Sequence, residues 1–264
     1  LKVIPINLLI SSLNMNNNYQ AVILAAGRGS RMGKATEFSH KCLTILGDKT
    51  LLSWQLESLT RAGINDITVV RGYRSEMLIG DFKTAENPRW AETNMVSTLF
   101  CAPKFEYDTI ISYSDIVYKS NHIKDLIENE GDIVITADKD WYSLWSSRFK
   151  DPLEDAETFQ TDGDRLIKIG KKSKELKNIQ GQFMGLIKFS PKGWEIANNF
   201  YKSLEKNLQD NLDMTSLLSM LINNTFEIKV SFVNGGWCEV DSYEDVKLYE
   251  NLLKNNNWAH DWRR

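Results

Sequence analysis

A glycine-rich loop at the end of a buried strand is the first feature of the sequence that could do chemistry. Residues 19–26 form a short, continuous apolar run, which is typical of a strand buried on both faces. The run ends in Gly27-Arg28-Gly29. Glycines let backbone N–H groups approach an anion closely, and a following helix N-terminus adds a favourable dipole. The pattern therefore predicts a phosphate-binding loop.

Two common nucleotide-binding motifs do not fit this loop. The dinucleotide fingerprint G-x-G-x-x-G fails because Met32 stands where the third glycine belongs. The P-loop fails around Gly33-Lys34, since it would need a glycine in place of Arg28 and a hydroxyl in place of Ala35. The loop must belong to another class of phosphate site.

An acidic residue follows a second apolar strand. Asp115 comes directly after the run at residues 109–113. Ligands of open α/β sheets bind at the carboxyl ends of the strands, so this carboxylate could face a ligand. The alternative is that Asp115 caps the start of a helix.

A longer string identifies the loop by resemblance. Leu24-Ala25-Ala26-Gly27-Arg28-Gly29-Ser30-Arg31-Met32, followed by Lys41, resembles the L-A-A-G-x-G-x-R-[LM]…K motif of nucleotidyltransferases. These enzymes activate sugar phosphates and related small phospho-compounds. The resemblance covers nearly everything from Tyr19 onward. The family usually has proline before the lysine, whereas this chain has His40.

The resemblance implies roles for particular residues. In this family Arg31 would contact the β and γ phosphates, and Lys41 would neutralise the phosphate at which the bond is exchanged. Asp115 and Asp241 would hold Mg²⁺, for which carboxylate oxygens are suitable ligands. Asp241 stands where a helix cap is also plausible, and the two roles can coexist. The nucleotide-binding residues implied are Leu24, Ala25, Ala26, Gly27, Gly29, Ser30, Asn94 and Ser97.

Other segments resemble one branch of the family. Residues 94–100, 114–118 and 180–189 are similar to phosphocholine cytidylyltransferases, a branch that includes enzymes activating aminoethylphosphonate and phosphoglutamine. Residues 141–157 most resemble those last two, and they supply aromatic rings, a guanidinium and carboxylates for an acceptor with an anion and an ammonium. The predicted acceptor-binding residues are Trp141, Trp145, Arg148, Asp155, Glu157 and Lys172. The alternative is that Trp141, Tyr142 and Trp145 only pack as one helical face.

The periodicity along the chain predicts an α/β fold. A helix at residues 51–59 between two buried strands forms a βαβ unit, which implies a parallel sheet. With the family resemblance, we expect a doubly wound, mostly parallel, Rossmann-like sheet of the nucleotidyltransferase type with a small antiparallel portion. Further strands are predicted at 66–70, 109–113, 132–136, 165–170, 182–189 and 227–233, and helices at 123–130, 192–208, 214–222 and 243–253.

Length and composition set the domain organisation. The 264 residues, 42% of them hydrophobic, suit one domain over residues 15–264, with a nucleotide half (15–115) and an acceptor half (116–264). Residues 1–14 are expected to be a disordered extension upstream of a natural start at Met15. A net charge of −3 argues against nucleic acid as a partner.

The remaining composition bears on the environment of the protein. The three cysteines are far apart and form no C-x-x-C pair, which favours a reducing cytoplasm. No apolar stretch reaches the roughly 20 residues of a membrane-spanning helix. His122 and His260 lie in polar stretches and are expected at the solvated surface.

These observations lead to one functional hypothesis. We expect a Mg²⁺-dependent cytidylyltransferase that moves CMP from CTP to a small amine-bearing phosphate or phosphonate and releases pyrophosphate. The acceptor would be 2-aminoethylphosphonate, phosphoglutamine or phosphocholine. The alternatives are a sugar-1-phosphate nucleotidyltransferase and a nucleotide-binding regulatory subunit without turnover. The oligomeric state stays open, a homo-oligomer included.

Overall fold

The sheet is built around β1 (Gln20–Ala25), the strand that precedes the glycine-rich loop. The computed structural model describes residues 19–263, so the predicted extension at 1–14 lies outside the described residues. Parallel strands flank β1 on both sides, β4 (Asp66–Arg71) and β6 (Thr109–Tyr113). Because β1 is enclosed on both edges and both faces, its sequence from Ala21 to Ala25 is continuously apolar instead of alternating.

Six further strands extend this sheet: β5 (Lys83–Glu86), β8 (Ile133–Asp138), β9 (Glu157–Asp162), β10 (Arg165–Lys172), β11 (Gln182–Phe189) and β12 (Lys229–Val233). The nine strands lie in the order β5-β4-β1-β6-β11-β8-β12-β10-β9. Only β10 and β11 run against the common direction. Two short antiparallel ribbons stand apart, β2 (Ile45–Leu46) with β3 (Lys49–Thr50) and β7 (Ile116–Tyr118) with β13 (Trp237–Glu239).

Helices cover both faces of the sheet. Ala21, Ile23 and Ala25 of β1 face one apolar cluster, and the alternate residues Val22 and Leu24 face the other. The first cluster includes α1 (Leu51–Arg61), α3 (Ser120–Glu128), α4 (Trp141–Arg148) and α8 (Tyr243–Leu252). The second includes α2 (Met95–Leu99), α5 (Pro191–Ser203) and α7 (Met214–Asn223), with α6 (Lys206–Asn211) between α5 and α7. The predicted doubly wound, mostly parallel fold is confirmed.

Several predicted elements differ from the structure. The helix predicted at residues 192–208 is wrong, because Leu204 and Glu205 have non-helical ψ angles of 151° and 141° and separate α5 from α6. The Gln209 side chain donates to the carbonyl oxygens of Tyr201 and Leu204, which caps the end of α5. The helix predicted at 123–130 starts earlier, at Ser120. The sequence analysis did not find β5, β7, β9 or β13.

The strand order creates a place for a ligand. The chain runs from β1 through α1 to β4 on one side, whereas β6 lies on the other side of β1. Ligands of open α/β sheets bind at such a reversal, beyond the carboxyl ends of the two strands. The loop after β1 and Asp115 after β6 therefore meet at one edge of the sheet.

The ribbon of β7 and β13 brings a distant segment to the same edge. Glu239 pairs with Ile116, and the backbone N–H of Val240 donates to the carbonyl oxygen of Asp115 at 2.8 Å. This pairing carries Asp241 to the side of Asp115.

Within the described part of the chain, no helix has the length and apolar character needed to cross a membrane.

Candidate active site

The glycine-rich loop has a backbone that suits its glycines. Gly29 has φ of +66°, in the left-handed region, and its carbonyl oxygen accepts from the N–H of Met32 as a 3₁₀ helix begins at Ser30. A Cβ atom built on Gly29 would lie 2.8 Å from Cβ and Cδ of Lys41. The loop and Lys41 are therefore in direct contact, although the sequence separates them.

A cavity of about 270 Å³ opens beside this loop. Of the predicted residues, Leu24, Ala26, Gly27, Gly29, Ser30, Arg31, Lys41, Asn94 and Asp115 line it. Ala25 and Ser97 lie elsewhere. Ala25 is fully buried in β1, and the Ser97 hydroxyl contacts the hydroxyl of Tyr201 and the carbonyl oxygen of Gln209. The sequence analysis did not find the other lining residues, Trp90, Thr93, Met95, Thr98 and Ser114.

Three carboxylates converge at the edge of this cavity. Asp115, Glu239 and Asp241 each bring a ligand atom within 4.8 Å of the others. Asp115 lies in the turn between β6 and β7, and the helix cap at α8 is Ser242, so neither aspartate serves as an N-cap. Glu239 was missed because a single glutamate at the end of a short strand carries no motif.

Lys41 and Arg31 bind two of these carboxylates, those of Asp115 and Asp241. The Lys41 ammonium donates to Asp115 Oδ2 at 2.7 Å and to Asp241 Oδ1 at 3.0 Å. Arg31 donates from Nη1 and Nη2 to the two oxygens of Asp241, at 2.9 and 2.8 Å, while 67% of its side chain is exposed. The predicted catalytic and metal-binding residues thus lie together.

The charges of this cluster shift the pKa values of its members. Burial acts to lower the pKa of Lys41, but attraction to Asp115 and Asp241 outweighs it and raises the pKa above its usual range. Burial acts to raise the pKa of Asp241, yet Lys41 and Arg31 hold it below its usual value. Burial and the neighbouring Asp241 raise the pKa of Glu239 to about 8. The lysine is therefore protonated, and negative charge is crowded around Glu239.

The donor set fits a hard divalent cation. Mg²⁺ prefers oxygen ligands and keeps several waters, so a few carboxylates beside a triphosphate are sufficient. Asp115 Oδ1 is buried and has no hydrogen-bond partner among residues 19–263. A buried carboxylate oxygen without a donor is costly unless a cation satisfies it. The cluster can therefore accommodate the metal that the family resemblance implies.

His40 takes the position where the family usually has proline. Its backbone is extended, with φ of −82°, which proline would also adopt. Its ring is buried: Nδ1 accepts from the N–H of Cys42, and Nε2 lies 2.9 Å from the carbonyl oxygen of Ala25. Because Nδ1 accepts, Nε2 is the donor of a neutral ring. His40 thus links the end of β1 to the segment that carries Lys41.

A second cavity, of about 350 Å³, adjoins the first through Arg31, Asn94 and Met95. Four predicted acceptor-binding residues line it: Trp145, Asp155, Glu157 and Lys172. The Trp145 indole N–H donates to Asp155 Oδ2 at 3.1 Å. Asp213 also lines the cavity, and the sequence analysis did not find it. Burial raises the pKa of Glu157, against the attraction of Lys172, and the charge of Asp213 adds to the rise.

The other two predicted acceptor residues have partners inside the protein. Trp141 is buried in the core beside Trp145, as the packing alternative predicts, whereas Tyr142 is exposed. Arg148 has a side chain that is only 1% exposed, and carboxylates surround its guanidinium.

The prediction that His122 and His260 lie at the solvated surface is wrong, because both are buried.

Comparisons with known proteins identify the family of the chain. A family model described as the MobA-like NTP transferase domain matches residues 21–176. The CTP:phosphoglutamine cytidylyltransferase of Campylobacter jejuni is 36% identical over 247 residues, which cover 86% of this chain and 98% of that protein.

Two solved structures share the fold at 20% sequence identity. The inositol-1-phosphate CTP transferase from T. maritima has a TM-score of 0.67, covering 87% of this chain and 94% of that one. The CTP:phosphocholine cytidylyltransferase from Streptococcus pneumoniae has a TM-score of 0.66, with coverage of 89% and 99%. The family match and the similarity over almost the whole length show that the chain belongs to the MobA-like NTP transferase family, as an enzyme of its cytidylyltransferase branch.

Proposed function

We propose that this enzyme transfers CMP from CTP to a small amine-bearing phosphate or phosphonate and releases pyrophosphate. The observation that carries the proposal is the meeting of two cavities at one charged cluster. Arg31 lines both cavities, Lys41 and Asp115 line the first, and Asp241 lines the second. A nucleotide in the first cavity and an acceptor in the second would bring their phosphates together beside these residues.

The reaction depends on aligning the acceptor with the α-phosphate of CTP and does not need the protein to remove a proton from the acceptor. A phosphate or phosphonate oxygen is already anionic at neutral pH, so no general base is required. This oxygen attacks the α-phosphorus of CTP in line, a new P–O bond forms, and the electron pair of the breaking bond leaves with pyrophosphate. Two anions repel each other during this approach, so fixed cations and fixed geometry supply the acceleration.

The basic residues suit those tasks. We assign Lys41 to the reacting α-phosphate, because its ammonium is buried, protonated and held in place by Asp115 and Asp241. We assign Arg31 to the β and γ phosphates. Its side chain is mostly exposed, so its guanidinium can exchange Asp241 for a phosphate at little cost.

The acidic residues would hold the metal. Asp115, Glu239 and Asp241 are the carboxylates placed to bind Mg²⁺. When bound there, Mg²⁺ would supply positive charge to the oxygens of the triphosphate. Asp115 Oδ1, which has no donor in the described part of the chain, supports this assignment.

The second cavity favours an acceptor with an ammonium group. Apart from Arg31, Glu239 and Asp241 of the charged cluster, its lining has three carboxylates, Asp155, Glu157 and Asp213, and one cation, Lys172. A neutral sugar ring would leave that excess negative charge unpaired, whereas an ammonium would neutralise part of it. Phosphoglutamine has the most support among the acceptors, because the Campylobacter jejuni relative is similar over nearly the whole chain.

We also retain the proposal of one domain over residues 15–264 with a nucleotide half and an acceptor half.

Pyrophosphate release tests the proposal directly. The protein is stripped of metal with EDTA and assayed with each of four nucleoside triphosphates, with and without added Mg²⁺. The acceptors are phosphoglutamine, 2-aminoethylphosphonate, phosphocholine and glucose 1-phosphate. We expect turnover to require CTP and Mg²⁺ and to be fastest with an amine-bearing acceptor. Turnover with glucose 1-phosphate alone would favour the sugar-phosphate alternative, and CTP binding without any turnover would favour a regulatory subunit.

A further inference from the structure

A buried guanidinium supports two of the three clustered carboxylates. Arg148 lies at the C-terminal end of α4, and 1% of its side chain is exposed. Its Nη1 donates to Glu239 Oε2 at 3.3 Å and its Nη2 donates to Asp241 Oδ2 at 3.4 Å. One side chain thus contacts both carboxylates that β13 and its following turn bring to Asp115.

The same guanidinium is anchored to a fourth carboxylate, outside the cluster. Arg148 Nε donates to Asp245 Oδ1 at 3.0 Å, and Nη2 donates to Asp245 Oδ2 at 3.3 Å. Asp245 Oδ2 accepts from the backbone N–H groups of Asp241 and Ser242, at 2.9 and 2.8 Å. Arg148 is therefore fixed to the group that also holds the backbone of Asp241.

Burial distinguishes Arg148 from the other arginine at the site. Its guanidinium lies 5.4 Å from the ring centroid of Trp145 and 5.0 Å from that of Phe149. Arg31 also contacts Asp241, but most of its side chain is in solvent. A substrate phosphate can draw Arg31 away, whereas removing Arg148 from its carboxylates would leave buried charges unpaired. Of the two arginines, Arg148 is the one that stays in place.

We propose that Arg148 is a positioning residue that fixes the carboxylates of Glu239 and Asp241 in the arrangement that binds the divalent cation. The inference rests on the proposed metal site and replaces the expectation that Arg148 contacts the acceptor. The planar guanidinium presents several donors in a rigid fork, so it can orient three carboxylates at once. A lysine would keep the positive charge but not this geometry.

Metal binding by Arg148→Lys tests the proposal. The probe is Mn²⁺ alone, titrated into the whole chain and followed by electron paramagnetic resonance. We expect at least fivefold weaker Mn²⁺ binding, a similar rise in the metal concentration for half-maximal turnover, and an acceptor KM within twofold of wild type. Asp115→Asn is the reference for loss of a direct ligand. Arg263→Lys is the control, because Arg263 makes a comparable pair with Asp261 away from the site.

A second variant keeps the test decisive if Arg148→Lys does not fold. Asp245→Asn retains an oxygen that can accept the backbone bonds at the start of α8 but removes the charge that anchors Arg148. We expect it also to weaken Mn²⁺ binding. Wild-type Mn²⁺ affinity in a folded variant of either residue would overturn the inference, as would a raised acceptor KM with unchanged Mn²⁺ affinity. A wild-type protein that binds no Mn²⁺ would overturn the proposed metal site and the inference with it.

Discussion

Gly29 is constrained by its neighbour as well as by its own backbone. Its φ of +66° is strained for residues with a side chain, and a Cβ there would lie 2.8 Å from Lys41. Gly163, in the turn between β9 and β10, has φ of +61° and no atom within 4 Å of such a Cβ. The two glycines differ in whether Lys41 is nearby, so they form a matched pair.

We expect Gly163→Ala to lower the free energy of unfolding by about 1–2 kcal/mol, the usual cost of left-handed backbone for an L-residue, and Gly29→Ala to lower it by at least as much. Gly29→Ala alone should also lower kcat/KM for CTP by tenfold or more, about 1.4 kcal/mol, because the methyl group displaces Lys41. Urea denaturation and steady-state kinetics measure the two effects. Equal kinetics in the two variants would show that the contact with Lys41 has no role in turnover.

Glu157 permits a test of the acceptor cavity. Its carboxylate lies near Lys172 and Asp213 on the cavity wall. If it pairs with the acceptor ammonium, Glu157→Gln should raise the acceptor KM about tenfold, because a hydrogen bond to a charged group contributes roughly 1.5–3 kcal/mol. The CTP KM should not change. Glu154→Gln, an exposed neighbour, is the control. A rise in the KM for CTP instead would place Glu157 on the nucleotide side.

Single residues differ in how far the sequence could identify them. Arg31, Lys41, Asp115 and Asp241 belong to strings long enough to recognise, and the structure brings all four together. Glu239 and Asp213 carry no local pattern, so only tertiary structure reveals that they face the cavities. The histidines were misjudged because polar neighbours in sequence do not report which side of a helix or loop packs inward.

The turn from β13 into α8 is the element that places Asp241. Ser242 is the N-cap of α8, and its hydroxyl accepts from the N–H of Asp245 while the Asp245 carboxylate accepts from Ser242. Ser190 caps α5 in the same way, by accepting from the N–H of Gly193. The second cap lies on the other face of the sheet, away from the carboxylate cluster. The two caps are alike in local structure and differ in what they position.

We expect Ser242→Ala and Ser190→Ala each to lower the free energy of unfolding by about 1 kcal/mol, the usual effect of losing an N-cap. Only Ser242→Ala should also lower kcat, because the backbone at Asp241 loses part of its support. Thermal denaturation and pyrophosphate release measure the two quantities. If Ser190→Ala reduced kcat by as much as Ser242→Ala, the effect would be one of general stability.

Elements with strong local patterns were predicted well, and elements defined by long-range pairing were not. The strands β1, β4 and β6 contain short, buried and mostly apolar runs, so their sequence alone indicates strands. By contrast, β7 and β13 are three residues each and exist because they pair with one another. The gap between α5 and α6 contains neither glycine nor proline, so nothing local marks it.

At the scale of the whole molecule, the sequence predicted a mostly parallel sheet but not its full strand order. The βαβ pattern and the family resemblance indicate a parallel sheet with a switch point. They do not show that β11 inserts antiparallel between β6 and β8, or that the β9–β10 hairpin extends the same sheet. The second cavity, in which we propose that the acceptor binds, depends on that extension, because Glu157, Thr158, Phe159, Ile169 and Lys172 come from the hairpin.

Burial of all three histidines makes the stability of the molecule sensitive to acid. Burial lowers the pKa of His40, His122 and His260, and it lowers that of His122 to about 4, with nearby Lys119 adding to the shift. The folded protein therefore keeps these rings neutral at pH values where the unfolded chain, near its usual value of 6.5, takes up protons. Their stabilising contribution is complete above about pH 6.5 and is lost as the pH falls towards the folded value.

His122 provides the measurement, because its pKa shift is large. Between pH 7.5 and pH 5.0 the shift should remove about 2 kcal/mol of the free energy of unfolding in wild type, since each pKa unit corresponds to about 1.4 kcal/mol. Over the same interval, the free energy of unfolding of His122→Gln should fall by about 2 kcal/mol less than that of wild type, whatever the stability of the variant at pH 7.5. Asn121→Gln, at an exposed neighbouring position on α3, should lose as much as wild type. Urea denaturation at the two pH values gives both differences. An equal loss in wild type and His122→Gln would mean that folding does not lower the pKa of this ring.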